Sequence, residues 1–330
     1  MKKLLTFMLS GILIIGLIAC KSDSPPEPDN SQSYTTTEVT TKPEMTSAPK
    51  TVTAIETTTE PLETTTTATP ANPETPDYVA EAKRLMTPEN GDIYIGMVDL
   101  KKPNGYRYVD DCGGIHPAST IKAQIMEYAL WQVIYGNAAL NDNVGGYTLK
   151  HRIEQMIQVS CNESTAYIIA KFGRENIDNW LLENYPNTRL HSDWVSFNPD
   201  GIFNTTTVED NIVFLENMFH NREYEPYKTM LDIMFNTTWS RDKIPAATVN
   251  IPNVTVANKT GSFVDGAATA DHDIAIIIEW GTNGEIITAY ALAFYSFSNY
   301  TESTYSAARP AIIAMAQDIY ENISNYEKTR

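Results

Sequence analysis

Apolar residues in this chain follow two periods, and the order of those periods predicts the architecture. Asp77 to Met86 has helical spacing, with Val79, Ala82 and Leu85 on one side. Asp92 to Leu100 (DIYIGMVDL) alternates as a strand does, Pro103-Asn104-Gly105 reads as a turn, and Tyr106 to Val109 as a second strand. Helical periodicity then takes over. It predicts a long apolar helix from Ser119 to about Ile134, then helices at Leu149 to Val159 and Glu163 to Phe172. An irregular stretch at about 185–206 precedes another helix, Val208 to Phe219. Strand patterns return at Val254 to Ala257, Ile274 to Trp280 and Ile286 to Tyr295, the last two joined by a Gly281-Thr282-Asn283-Gly284 turn. Ser303 to Tyr326 closes the chain as a helix. Strands at both ends around a helical block predict an α+β fold. An antiparallel sheet of about five strands is flanked by helices, with a helical subdomain inserted.

The first 76 residues carry a different pattern. Lys2 and Lys3 precede an apolar run from Leu4 to Ile18, and Leu17-Ile18-Ala19-Cys20 places small residues directly before a cysteine. This resembles a bacterial lipoprotein signal, which implies that residues 1–20 are a signal peptide and that Cys20 becomes the lipidated first residue of an exported protein. Residues 21–76 are rich in Thr, Pro, Glu and Ser, with almost no large apolar side chains. Such a segment cannot bury enough surface to offset its ordering entropy, so a disordered tether is expected. Residues 77–330 form one domain of ample size.

Charge and cysteine content narrow the partners. The domain holds 19 Lys and Arg against 32 Asp and Glu, a net of −13. That argues against nucleic acid or anionic lipid as a partner. Only Cys112 and Cys161 remain after Cys20, a thin framework whose pairing the sequence leaves open. No Cys or His spacing suggests a metal, no cofactor motif occurs, and the domain is expected to be a monomer.

Three short motifs carry the chemistry. Ser119-Thr120-Ile121-Lys122 puts a hydroxyl and an amine three residues apart on one helix face, where a lysine with a lowered pKa can activate the serine. Ser160-Cys161-Asn162 and Lys259-Thr260-Gly261 follow in order. Each alone fits a helix cap or an exposed strand. Together they resemble the signature set of serine β-lactamases and penicillin-binding proteins. The resemblance covers essentially all of 77–330, is nearest to class A β-lactamases, and agrees with the predicted strand and helix order. It implies that Ser119 is the nucleophile and Lys122 its base. Ser160 would relay a proton to the leaving nitrogen, and Asn162 would hold substrate and the catalytic lysine. Lys259 and Thr260 would meet the substrate carboxylate. Gly261 would let substrate approach the strand, and the backbone N–H groups of Ser262 and Ser119 would bind the oxyanion.

Two departures from class A stand out. The family's loop with a deacylating glutamate matches Arg189-Leu190-His191, then Pro199, then Asn204-Thr205-Thr206. His191 takes the glutamate position, and Val195 the place of an asparagine that helps hold water. Arg189 would face Asn204, in place of the usual arginine–aspartate pair. Acylation is therefore expected to be intact and deacylation slow, with His191 the candidate base. Also, Ser160 lies only 41 positions after Ser119, so the cleft wall around Gly136 to Gly146 is short and the site more open. The expected function is a lipid-anchored, extracytoplasmic serine hydrolase that attacks a β-lactam through acyl-Ser119. The alternatives are a D,D-peptidase or wall-editing hydrolase acting on peptidoglycan peptides, and a sensor or binder that acylates and stalls.

Overall fold

A computed structural model describes residues 77–86, 91–102, 104–192, 203–239, 241–264, 268–299 and 308–328. The Cys20 signal and the 21–76 tether lie outside the described residues, as do Val195 and Pro199. The predicted α+β architecture is present. Five strands, β1 (Asp92–Asp99), β2 (Arg107–Val109), β5 (Val254–Val264), β6 (Ala268–Trp280) and β7 (Ile286–Asn299), form one sheet in the order β2-β1-β7-β6-β5. Every neighbouring pair is antiparallel. Strands from the two ends of the domain meet where β1 pairs with β7, Asp92 opposite Phe297 and Asp99 opposite Tyr290.

Both faces of the sheet are covered, which explains the long apolar runs in its central strands, Ile274–Ile278 of β6 and Ala289–Tyr295 of β7. Along β6, Ile274, Ile276 and Ile278 pack into a core with the helical block, whereas Ala275 and Ile277 face the opposite core. The second core is closed by α1 (Tyr78–Lys83), α8 (Ile244–Thr248) and α9 (Ala308–Lys328). The helical block comprises α2 (Lys122–Ile134), α3 (Leu149–Gln158), α4 (Asn162–Phe172), α5 (Arg174–Asn184), α6 (Val208–His220) and α7 (Tyr227–Phe235). It meets the sheet closely at Gly96 of β1, where an added Cβ would fall 2.5 Å from Ile212 and 2.6 Å from Val208 of α6.

Several boundaries depart from the expectations. The helix predicted from Ser119 opens with a 3₁₀ turn, Ala118–Ile121, before α2 begins at Lys122. The expected strand at Val254 to Ala257 continues through the Lys259 motif to Val264. Helices α5, α7 and α8 were not signalled by periodicity. The segment between α2 and α3 is compact, with a small hairpin of β3 (Asn143–Val144) on β4 (Tyr147–Thr148). That hairpin is pinned by Arg152, whose Nε and Nη2 donate to Val144 O at 3.0 Å and Gly145 O at 2.7 Å. The Arg152 guanidinium also lies between the rings of Tyr147 and Tyr167. Cys112 is a free thiol, so it forms no bridge with Cys161.

Candidate active site

The site forms where the helical block meets the edge strand β5. Ser119 sits in the 3₁₀ turn, half-buried, and the turn is fastened on three sides. Thr120 Oγ1 bonds Pro117 O at 2.7 Å and shares a hydrogen bond with Tyr295 OH of β7 at 2.9 Å. The His116 carbonyl accepts from His272 Nε2 of β6 at 3.0 Å. The third side is Gly261 of β5, where a Cβ would lie 2.8 Å from Pro117 O and 2.9 Å from Ser119 N. The missing side chain of Gly261 is therefore used by the protein itself, to seat the serine turn against the strand. Ala118 has φ +47°, a left-handed conformation costly for a residue with a side chain. It is sustained by this packing and by a hydrogen bond from Ala118 N to His116 Nδ1 at 2.9 Å.

His272 is fully buried, and its tautomer follows from its partners. Ser296 N donates to Nδ1 at 3.3 Å, so Nε2 carries the proton given to His116. Burial, with the Lys243 cation nearby, lowers its pKa to about 3, so it is a neutral structural support.

Lys122, Ser160, Asn162 and Lys259 converge. Lys122 Nζ donates to Ser160 O at 2.8 Å, Ser160 Oγ at 3.3 Å and Asn162 Oδ1 at 2.6 Å. Lys259 Nζ donates to the same Ser160 Oγ at 3.0 Å and to Thr260 O at 2.8 Å. Ser160 Oγ thus bridges two amines, from a position with φ +56°. The cap of α4 is Cys161 rather than Ser160: the Cys161 sulfur accepts from Ser164 N at 3.5 Å, which leaves the Ser160 hydroxyl to the two lysines. Burial, then repulsion from Lys259, holds the Lys122 pKa well below that of an ordinary lysine. Burial also lowers Lys259, with Lys243 adding to the fall and Asp273 opposing it, to about 7. A lysine shifted this way can exist as a neutral base near neutral pH.

A second layer supports β5. Lys243, the residue before α8, is completely buried, and its Nζ donates to Ser262 Oγ at 2.8 Å, His272 O at 3.0 Å and Gly261 O at 3.3 Å. It also forms an ion pair with Asp271 at 2.8 Å. Ser262 Oγ donates to Asp271 Oδ1 at 2.6 Å, and Arg309 of α9 reaches the same carboxylate at 3.3 Å. Burial alone would raise Asp271, but Lys243, Ser262 and Arg309 together hold it below the usual carboxylate range. Asp273 is raised to about 6 by burial, and accepts from Asn258 Nδ2 at 3.1 Å and Ile244 N at 3.0 Å.

The neck of the 193–202 segment differs from the expectation. Arg189 does not rely on Asn204. It pairs with Asp178 of α5 through Nε to Oδ1 at 3.0 Å and Nη2 to Oδ2 at 2.7 Å, a bidentate contact. Asn204 Oδ1 instead accepts from Ser192 N at 2.8 Å. Arg189 and Thr205 bridge as antiparallel backbone, which closes the neck. His191 is half-buried beside this pair, with Asp178 as an electrostatic neighbour. Among the described residues no hydrogen bond joins His191 to Ser119, and no group of three His, Cys, Asp or Glu could hold a metal ion.

The family model for the β-lactamase enzyme family matches residues 78–323. The chain belongs to that family. Solved structures agree on the fold of this β-lactamase-family domain. An ancestral class A β-lactamase superposes with a TM-score of 0.62 at 16% identity, covering 74% of this chain and 100% of its own. A class A β-lactamase of the last common ancestor of Gram-negative bacteria gives 0.61 at 18%, with 74% and 98% covered. The β-lactamase from Sphaerobacter thermophilus DSM 20745 gives 0.61 at 17%, with 75% and 96% covered. No curated protein matches the chain in sequence.

Within this β-lactamase-family site, sequence reasoning missed Lys243, Asp271, Asp178 and the two histidines that brace the serine turn. One signal was available. Asp271-His272-Asp273 heads an otherwise apolar strand, and antiparallel pairing sets those three residues opposite Ser262, Gly261 and Thr260.

Proposed function

We propose that the protein is a serine hydrolase that opens a β-lactam amide through an acyl-Ser119 ester. The observation that carries this reading is Ser160 Oγ held between Lys122 and Lys259 at 3.3 and 3.0 Å, beside the Ser119 turn. Neutral Lys122 takes the Ser119 proton as Oγ attacks the carbonyl carbon. The oxyanion is held by the N–H groups of Ser119 and Ser262. Collapse breaks the C–N bond, and the proton passes through Ser160 to the leaving nitrogen. Thr260 and charged Lys259 meet the substrate carboxylate. A water then hydrolyses the ester and restores Ser119.

Deacylation is slow in this reading, because His191 replaces the expected glutamate and is not hydrogen-bonded to the serine. Intact-mass measurement over time after mixing with benzylpenicillin tests both steps. Expected is a stoichiometric mass gain that decays slowly and is absent in Ser119→Ala. No gain, or complete turnover with no trapped adduct, would overturn the first or the second step respectively.

A second reading, cleavage of a D-Ala-type peptidoglycan peptide, is supported by the short connection between α2 and α3, whose only strands are the two-residue pair β3 and β4. Release of D-Ala from a stem peptide would distinguish it. An acylated sensor corresponds to the limit in which the adduct persists for hours. The setting proposed for all three is the outer face of a bacterial membrane, anchored through lipid on Cys20. Labelling with a palmitate analogue, lost in Cys20→Ala, checks the anchor.

A further inference from the structure

Lys243 is completely buried, and its ammonium is spent on two adjacent rungs of the sheet, Gly261 with His272 and Ser262 with Asp271. These rungs lie directly behind the nucleophile. On the front face, a Cβ at Gly261 would fall 2.9 Å from Ser119 N. Cβ positions alternate along a strand, so Ser262 faces the back. Lys243 approaches from that side: Ile244, the next residue, packs in the core opposite to the one that holds Ile121 of the serine turn. There Lys243 Nζ donates to Ser262 Oγ at 2.8 Å, and Ser262 Oγ donates to Asp271 Oδ1 at 2.6 Å. The hydroxyl is thereby committed to the back of the sheet, and the donor that Ser262 keeps for the cleft is its backbone N–H.

The contact that decides its role is to the main chain. Lys243 Nζ donates to the Gly261 carbonyl at 3.3 Å and to the carbonyl of His272, the partner of Gly261 on β6, at 3.0 Å. One ammonium reaches both oxygens, so the Gly261 carbonyl points toward β6. The Gly261–Ser262 peptide is trans, and its N–H therefore points the opposite way, off the free edge of β5. A cation held on the oxygen of an amide fixes the plane of that amide and polarises its N–H. We propose that Lys243, clamped by Ser262 Oγ and Asp271, is a positioning residue that aims and strengthens the Ser262 N–H as an oxyanion donor. This inference rests on the acyl-Ser119 reading, in which that N–H binds the oxyanion. The clamp acts on charge that develops only as Ser119 attacks, whereas Lys259 and Thr260 hold the carboxylate from the start. Its loss therefore slows acylation and leaves the initial complex intact.

The test separates k2 from K by intact-mass time courses over a range of benzylpenicillin concentrations. It is run below the Lys259 pKa of about 7, so that the lost charge is not read through Lys259. Removing an oxyanion donor outright costs about 100-fold or more; here the donor stays but is loosened, so Lys243→Met should lower k2 about tenfold with K within about twofold of wild type. Lys243→Arg, which keeps the cation, should recover most of the loss. Ser262→Ala keeps the N–H but loses one grip of the clamp, and should lower k2 about threefold with K again unchanged. Thermal melting establishes that each variant is folded, and the exposed Ser262 position decides the matter if Lys243→Met does not fold. An unchanged k2 in a folded variant overturns the positioning role, and so does a K that rises as k2 falls, because the whole strand has then moved. Absence of any adduct on the wild-type protein overturns the hydrolase reading beneath it.

Discussion

Gly261→Ala is the most direct probe of how the serine is held. The new methyl would meet Pro117 O at 2.8 Å, Ser119 N at 2.9 Å and Ala118 Cβ at 3.0 Å, whereas ordinary contact begins at 3.4 Å. Strand and turn must therefore separate by about half an ångström, the gap between those distances. The turn has little freedom to yield elsewhere. Thr120 is tied to Tyr295, His116 to His272, and Ala118 already stands at φ +47°. Since misplacing reacting groups by ~1 Å can cost ~100-fold, half that displacement costs about tenfold. If Ser119 N–H is the oxyanion donor proposed above, its partial loss extends the range to about 100-fold, or about 1.4–2.7 kcal/mol in the barrier. The assay is k2/K for acylation by benzylpenicillin, with a thermal melt alongside to separate overpacking from misfolding. Ala118→Gly, added to Gly261→Ala, removes one of the three clashes and accepts positive φ freely, so part of the rate should return. A folded Gly261→Ala protein acylating within twofold of wild type would refute the argument that this glycine seats the nucleophile.

The remaining predictions address the charges. In the proposed mechanism the Lys259 cation meets the substrate carboxylate, and burial lowers its pKa to about 7, so k2/K should fall as pH rises through about 7; Lys259→Arg should remove that limb from the assayed range, and a limb that stays assigns it to another group. Glu127 is fully buried and raised from 4.5 to about 7 by burial, against hydrogen bonds from Tyr185, Tyr227 and Trp131. A raised folded pKa means that its contribution is intact below pH 4.5 and is lost as pH climbs to 7, about 3 kcal/mol in all. Urea unfolding of Glu127→Gln should therefore show a flatter stability profile across that window, and an unchanged slope would refute it. For Asp178, burial raises the pKa but Arg189 and Leu190 N outweigh it and leave it lowered, so its stabilisation is present above its unfolded pKa and is lost as pH falls through the still lower folded value. Asp178→Asn should cost on the order of 1 kcal/mol near neutral pH, discounted for partial exposure of the pair, with the gap to wild type closing in acid.

How much of this was legible in the sequence depends on whether the signal was local. Strand and helix periods placed the sheet and most helices because both faces of β6 and β7 are packed and their apolar runs are long. The three motifs singled out Ser119, Lys122, Ser160, Asn162 and Lys259 because each is contiguous, and the fold brings Lys122 and Lys259 together on Ser160 Oγ and Asn162 onto Lys122. Partnerships across the chain were not legible. Arg189 finds Asp178, 11 residues earlier on a helix that periodicity did not signal, rather than Asn204. Lys243 supports β5 from a segment with no motif, and its role follows only from a burial that the linear pattern does not encode. The cap of α4 passed from Ser160 to Cys161 because the left-handed turn at Ser160 aims its hydroxyl at the two lysines.

The burial of Lys122, Lys259 and Lys243 has a consequence for how ions reach the site. The chain as a whole carries a net −17, so its distant field opposes an anion, while the amines of Lys259 and Lys243 sit buried inside it where mobile ions hardly reach. Added salt screens the outer field over a Debye length of about 10 Å at 0.1 M and leaves the inner one nearly intact. Encounter with an anion should therefore quicken with ionic strength, the reverse of an enzyme that steers substrate by surface charge. Attraction here begins only within the cleft, so the site discriminates by what has already arrived.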